Sequence, residues 1–240
     1  MVGLGGAEFR LPLLIGVFGF AALEAVILNK ATSLVVVASA LAFRSTTIPF
    51  AVVFEHGWIV ATLLSGSLIG AWVGADLATR LKAQTLYRVI ATLLVGIAIV
   101  LLTVHDPSAQ NAWLLGTWQL AAGIAAGFAI GVVASFLGVA GGELLIPTLV
   151  LLFGVEIKLA GSLSLAVSLP TMIVGFVRYS RDRSFDVIAK YSRFLVAMGV
   201  GSLAGAFVGG LLLGVIPSAV LLPALAAILL VSAIKIWRPR

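Results

Sequence analysis

The chain has 240 residues, 62% of them hydrophobic and 10% charged, with a net charge of +6 and a mean hydropathy of +1.22. Soluble domains run near half apolar and about a quarter charged, so a soluble globule is excluded and lipid must solvate most of the surface. No cysteine and only two histidines, His56 and His105, are present. Disulfides, thiolate metal sites and cysteine nucleophiles are excluded, a histidine-rich metal or haem site is not expected, and no cofactor is called for. The basic residues sit in short loops between apolar stretches and at the C-terminus, which suits cytoplasmic loops and anionic lipid rather than nucleic acid.

A bilayer-spanning helix needs about 20 apolar residues. In chain order, full-length stretches are predicted near residues 25–43, 58–77, 86–104, 114–137, 159–177, 194–213 and 218–236. Two shorter stretches, 11–22 and 143–153, read as half-helices, re-entrant hairpins or tilted short spans. Met1 to Ala7 carries no basic residue, so no cleavable signal peptide is expected.

An internal repeat runs through these elements at a constant offset of 135 positions. Gly3, Gly6, Glu8 and Pro12 fall on Gly138, Gly141, Glu143 and Pro147, and Phe18 and Gly19 fall on Phe153 and Gly154. Ser33 falls on Ser168, Phe50 on Phe185, and GSLIGAWVG from Gly66 falls on GSLAGAFVG from Gly201. The first copy has no counterpart for 114–137, so it is expected to lack its leading helix.

Lysine and arginine placement sets orientation. Arg80, Lys82 and Arg88 mark one cytoplasmic loop, and Arg178, Arg181, Arg183, Lys190 and Arg193 mark another. Lys235, Arg238 and Arg240 place the C-terminus inside, while 105–111 carries no lysine or arginine and faces out. Loops equivalent under the offset prefer opposite sides, the pattern of an inverted repeat with an odd number of crossings per unit.

Three constellations carry candidate chemistry. Paired Gly-rich turns, GLGGAEFRLP from Gly3 and GVAGGELLIP from Gly138, each precede a short apolar helix. A helix N-terminus offers unpaired N–H groups and positive potential, which suits an anion; the plain alternative is helix packing. Glu8 and Glu143 read as caps of their own turns or as protonatable groups. Hydroxyl-bearing helices follow, with Asn29, Lys30, Thr32 and Ser33 in the first copy and Ser162, Ser164 and Ser168 before Pro170 in the second. They suit oxyanion contact or helix–helix bonding. Lys30 and Arg10, whose repeat partners are Leu165 and Leu145, would pair an anion or snorkel to the interface. The glycines at 66, 70, 74 and at 201, 205, 209 read as helix-contact stripes, and Asp76 with Arg80 as a salt-bridged helix end.

The segment GVAGGELLIPTLVLLFG, followed by KLAGSLSLAVSLPT, resembles the TauE/SafE family of sulfite exporters, also called the toluene-sulfonate uptake permease family. LNKATSLVVV in the first half resembles the matching family segment. The resemblance implies a secondary transporter of sulfite, sulfonates and related organic anions in a bacterial-type inner membrane.

The expected architecture is an all-α polytopic membrane protein of two inverted repeats with short broken helices after Gly-rich turns. It divides into a first repeat over 1–104, an extracytoplasmic loop over 105–113 and a second repeat over 114–240. The expected activity is anion transport and not catalysis, with no ATP-binding loop because no Gly-Lys-Ser or Gly-Lys-Thr occurs. The anion is expected to meet Gly5, Gly6, Glu8, Lys30, Thr32, Ser33, Gly138, Gly141, Gly142, Glu143, Ser162, Ser164 and Ser168. The partners expected are that small anion, the lipid bilayer, a proton as coupling ion and a second copy in a homodimer. An anion channel and a membrane assembly protein without cargo are the rival readings.

Overall fold

A computed structural model of the chain describes residues 7–44, 50–103 and 116–212. Ten α-helices are described: α1 Ala7–Gly16, α2 Ala22–Arg44, α3 Phe50–Glu55, α4 Gly57–Arg80, α5 Ala83–Thr103, α6 Thr117–Leu137, α7 Gly142–Phe153, α8 Ile157–Tyr179, α9 Val187–Lys190 and α10 Ser192–Leu212. A 3₁₀ turn, Arg183–Asp186, leads into α9. No strand occurs among the described residues. This is an all-α polytopic membrane protein.

Among the described residues four helices are long and apolar enough to cross a membrane: Ala22–Leu41, Gly57–Arg80, Thr117–Leu137 and Leu159–Tyr179. A fifth crossing is available if Arg183–Lys190 and Ser192–Gly205, which meet at a bend of 74°, count as one broken span. Closed backbone hydrogen bonding makes a helix the natural form for such stretches in lipid. The two short apolar stretches form the ten-residue α1 and twelve-residue α7. α2 begins at Ala22, three residues before the predicted start, because Gly19 at φ +73° turns the chain sharply after α1. α3 was not expected from the sequence. The predicted span 218–236 and the whole loop 105–113 lie outside the described residues.

α4 and α6 form the closest helix pair. Ideal Cβ atoms added to Gly66 and Gly70 would meet the carbonyl oxygens of Ile124 and Phe128 at 2.0 and 2.1 Å. From the other side, Cβ atoms on Gly127 and Gly131 would meet the carbonyls of Leu63 and Ser67 at 2.3 Å in each case. Small residues four apart thus let two backbones touch, which gains van der Waals contact that lipid cannot match. The second stripe departs from expectation. Gly201 and Gly205 on α10 have no atom within 4 Å of an added Cβ, and Gly209 lies outside what is described at side-chain level.

Asp76 near the end of α4 binds Arg80 at 2.8 Å, as the spacing predicts. It also accepts from Arg178 of α8, from Nε at 3.0 Å and again from the guanidinium end. That second bond joins two long helices and was invisible in local spacing.

Candidate functional site

The C-terminus of α6 closes at Gly138, whose φ of +65° puts it in the left-handed region. Its N–H and that of Val139 return to the carbonyls of Ser135 and Ala134. Gly141, at φ +76°, then opens α7. An L-residue at either position adopts that conformation at a cost, which is the physical reason for glycine there. A Cβ on Gly138 would also lie 2.3 Å from the Val26 carbonyl of α2, so this glycine serves backbone packing. Gly141→Ala meets no closer atom than 3.1 Å. It should cost about 1–2 kcal/mol for the left-handed residue alone, read as a lowered melting temperature in detergent with the oligomeric profile unchanged.

The turn between α6 and α7 is held from both sides. Ser168 Oγ of α8 donates to the Ala140 carbonyl at 2.7 Å. Asn29 Nδ2 of α2 donates to Leu137 O and to Ala7 O, both at 2.9 Å. One fully buried amide therefore ties the end of α6 to the start of α1. The amides of Ala140, Gly141 and Gly142 make no backbone–backbone hydrogen bond among the described residues.

This clamp brings the two half-helix N-termini together. Glu8 in the first turn of α1 and Glu143 in the first turn of α7 bring their carboxyl groups together. Both are buried, at 2% and 6% exposure. Glu8 Oε2 and Ser162 Oγ are buried with no hydrogen-bond partner. An unpaired polar atom in an apolar interior is expensive and calls for an explanation.

Arg10 lies two residues after Glu8 on α1. Its guanidinium donates to Asn29 Oδ1 at 3.2 Å, to Ser33 Oγ at 2.5 Å and to Ser202 Oγ of α10 at 2.8 Å. The Arg10–Ser202 bond was missed by sequence reasoning. The signal available was the asymmetry of the repeat, in which Arg10 stands opposite Leu145.

The remaining predicted residues sit as follows. Thr32 and Ser164 spend their hydroxyl protons on their own helices, at Leu28 O and Gly161 O. Lys30 neither snorkels nor joins the carboxyl pair. It is fully buried, with Nζ 3.4 Å from Ser135 Oγ and 5.7 Å from the centre of the Tyr179 ring. No carboxylate lies within ion-pair distance of it among the described residues. Gly5 and Gly6 lie outside the described residues. A surface hollow lined by Ser192, Arg193, Val196 and Ala197 belongs to α10 and takes in none of the predicted site residues.

The family model "Sulfite exporter TauE/SafE" matches residues 122–240. Over that stretch the chain is similar to the TauE/SafE family. The matched region contains the α6–α7 turn, Glu143 and the three serines of α8. Members of this family are membrane transporters of sulfite-like anions, which implies a small substrate and the bilayer as partners. Searches of curated proteins and of solved structures return no match.

Proposed function

We propose that this chain is a secondary transporter of a sulfur oxyanion or a small organosulfonate or carboxylate, built as two inverted repeats in an inner membrane with its C-terminus in the cytoplasm. The carrying observation is the meeting of the two half-helix N-termini through Glu8 and Glu143. Broken helices that point their N-termini at one place are how inverted-repeat transporters hold anions. The α7 amides, Ser162 Oγ and the neighbouring hydroxyls supply donors to an oxyanion, and Arg10 and Lys30 supply buried positive charge. Gly138 and Ser168 act by holding the turn, not by touching cargo.

The packing supports the repeat. Under the 135 offset, α1 corresponds to α7, α2 to α8 and α4 to α10. α1 packs on α2 as α7 packs on α8, α4 packs on α8 as α10 packs on α2, and α2 and α8 pack on each other. That is the contact pattern of two units related by a two-fold axis. Alternating access then rocks one unit against the other about the carboxyl pair, which is closed to solvent in this structure.

The test is uptake into proteoliposomes of sulfite, sulfate, thiosulfate and ethanesulfonate. Saturable flux of at least one anion, with counterflow when the same anion is loaded inside, is expected. Conductive flux that never saturates would establish a channel. Absence of flux for every anion would remove the transport reading for this chain.

A further inference from the structure

A pair of acids at the centre of an anion site needs its charge accounted for. The carboxyls of Glu8 and Glu143 come from different half-helices and contact each other directly. Two ionised carboxylates offer each other only acceptor oxygens, so their close approach in an apolar interior is favourable only with a proton on one. Two ionised carboxylates in contact away from water add mutual repulsion to the desolvation of each, and the pair relieves this by holding a proton.

The surroundings do not supply another solution. Among the described side chains, Arg10 is the cation that acts on Glu8, and none is found acting on Glu143. α6, which packs on α7, has no charged residue. On α2, Lys30 turns to Ser135 and Tyr179, and Glu24 lies by the backbone of Ala21. Arg178 of α8 is held by Asp76, and Arg88 of α5 is exposed. With one shared proton the pair carries −1 and Arg10 carries +1, so the buried cluster is neutral. A second proton leaves Arg10 uncompensated beside the two helix N-termini, the state in which an anion is most favoured there.

We propose that the Glu8–Glu143 pair is a proton-binding site that holds one proton at rest and takes up a second when the anion enters, so that anion and proton cross together. This rests on the anion-transport reading above. The proton comes from the aqueous phase on the side of entry and leaves with the anion on the other, so charge and atoms balance.

The full chain in lipid vesicles serves for both arms of the test. Infrared spectroscopy at neutral pH should show a protonated-carboxyl C=O stretch in the wild type that is lost in the E8Q/E143Q double variant. In transport, thiosulfate and ethanesulfonate are the probes, since both keep their charge over the pH range used. An inward proton gradient should speed wild-type uptake by about 5- to 150-fold, the usual range for coupled binding of two ligands. In E143Q and, separately, E8Q the ratio of uptake with the gradient to uptake without it should fall to about one, whatever the rate at equal pH, because glutamine cannot take up or release the proton. Each variant is checked for a monodisperse elution profile, and the two singles stand in for one another if one fails to fold. A wild type without the carboxyl band overturns the shared proton. Folded single variants that respond to the gradient as the wild type does overturn the coupling. A wild type that moves neither probe while moving sulfite or sulfate overturns the coupling for sulfonates and leaves transport standing. A wild type that moves no anion overturns transport and coupling together, with the carboxyl band still deciding whether the pair holds a proton.

Discussion

Gly70→Val should separate α4 from α6 and strongly destabilise the protein, while Gly205→Val, at the equivalent position of the second repeat, should be nearly silent. The two glycines occupy the same place in GSLIGAWVG and GSLAGAFVG. A Cβ on Gly70 would lie 2.1 Å from the Phe128 carbonyl oxygen, 2.9 Å from its carbon and 3.0 Å from its Cα. All three atoms are backbone, so no rotamer change relieves the clash and the whole helix must shift. Overpacking of this kind costs about 1–3 kcal/mol and occasionally more, and a β-branched residue here belongs at the top of that range. At Gly205 nothing lies within 4 Å. Thermal unfolding of both variants in the same detergent measures the difference directly. Equal melting temperatures would show that the α4–α6 contact is looser than the structure has it.

Asn29→Leu is expected to have the second large effect, on stability and on the site together. One buried side chain satisfies the Ala7 carbonyl, the Leu137 carbonyl and Arg10 Nε. Leucine fills a similar volume and leaves all three without that partner. An orphaned buried group costs about 1–3 kcal/mol, so the sum is a substantial part of a typical folding free energy. Asn29→Asp should not rescue it. Aspartate keeps an acceptor for Arg10 but presents carboxylate oxygens to two carbonyls. Because Asn29 fixes the start of α1 against the end of α6, its loss should also part Glu8 from Glu143. The readouts are melting temperature and the protonated-carboxyl band, and both should fall. A variant that loses neither would show that the clamp is dispensable.

Much of the class was legible along the chain. A hydropathy of +1.22 leaves no solvent but lipid, and apolar stretches near 20 residues leave no form but helix. The constant 135-residue offset pairs Glu8 with Glu143 and the α4 glycine stripe with that of α10. The Asp76–Arg80 pair and the α4 glycine stripe also follow from spacing, because three or four residues are one helical turn. The family resemblance was carried by consecutive residues around Gly138 and on α8.

Other features depended on which helices meet, and no local pattern holds that information. Arg178 reaches Asp76 across 102 positions, and Arg10 reaches Ser202 across 192. Lys30 shows the same limit in reverse. A long basic side chain near a helix end is free to snorkel, yet here Ser135, Gly175 and Tyr179 enclose it completely. The two glycine stripes are nearly identical in sequence, but one touches a neighbouring backbone while Gly201 and Gly205 of the other meet nothing within 4 Å among the described residues, since contact depends on a partner helix and not on the stripe. By itself the sequence determined the solvent, the helices and the duplicated acids, because burial in lipid and helical periodicity act residue by residue. Only the tertiary structure decided that the two acids touch, because that contact rests on Asn29 joining the start of one half-helix to the end of α6, 108 positions away from it.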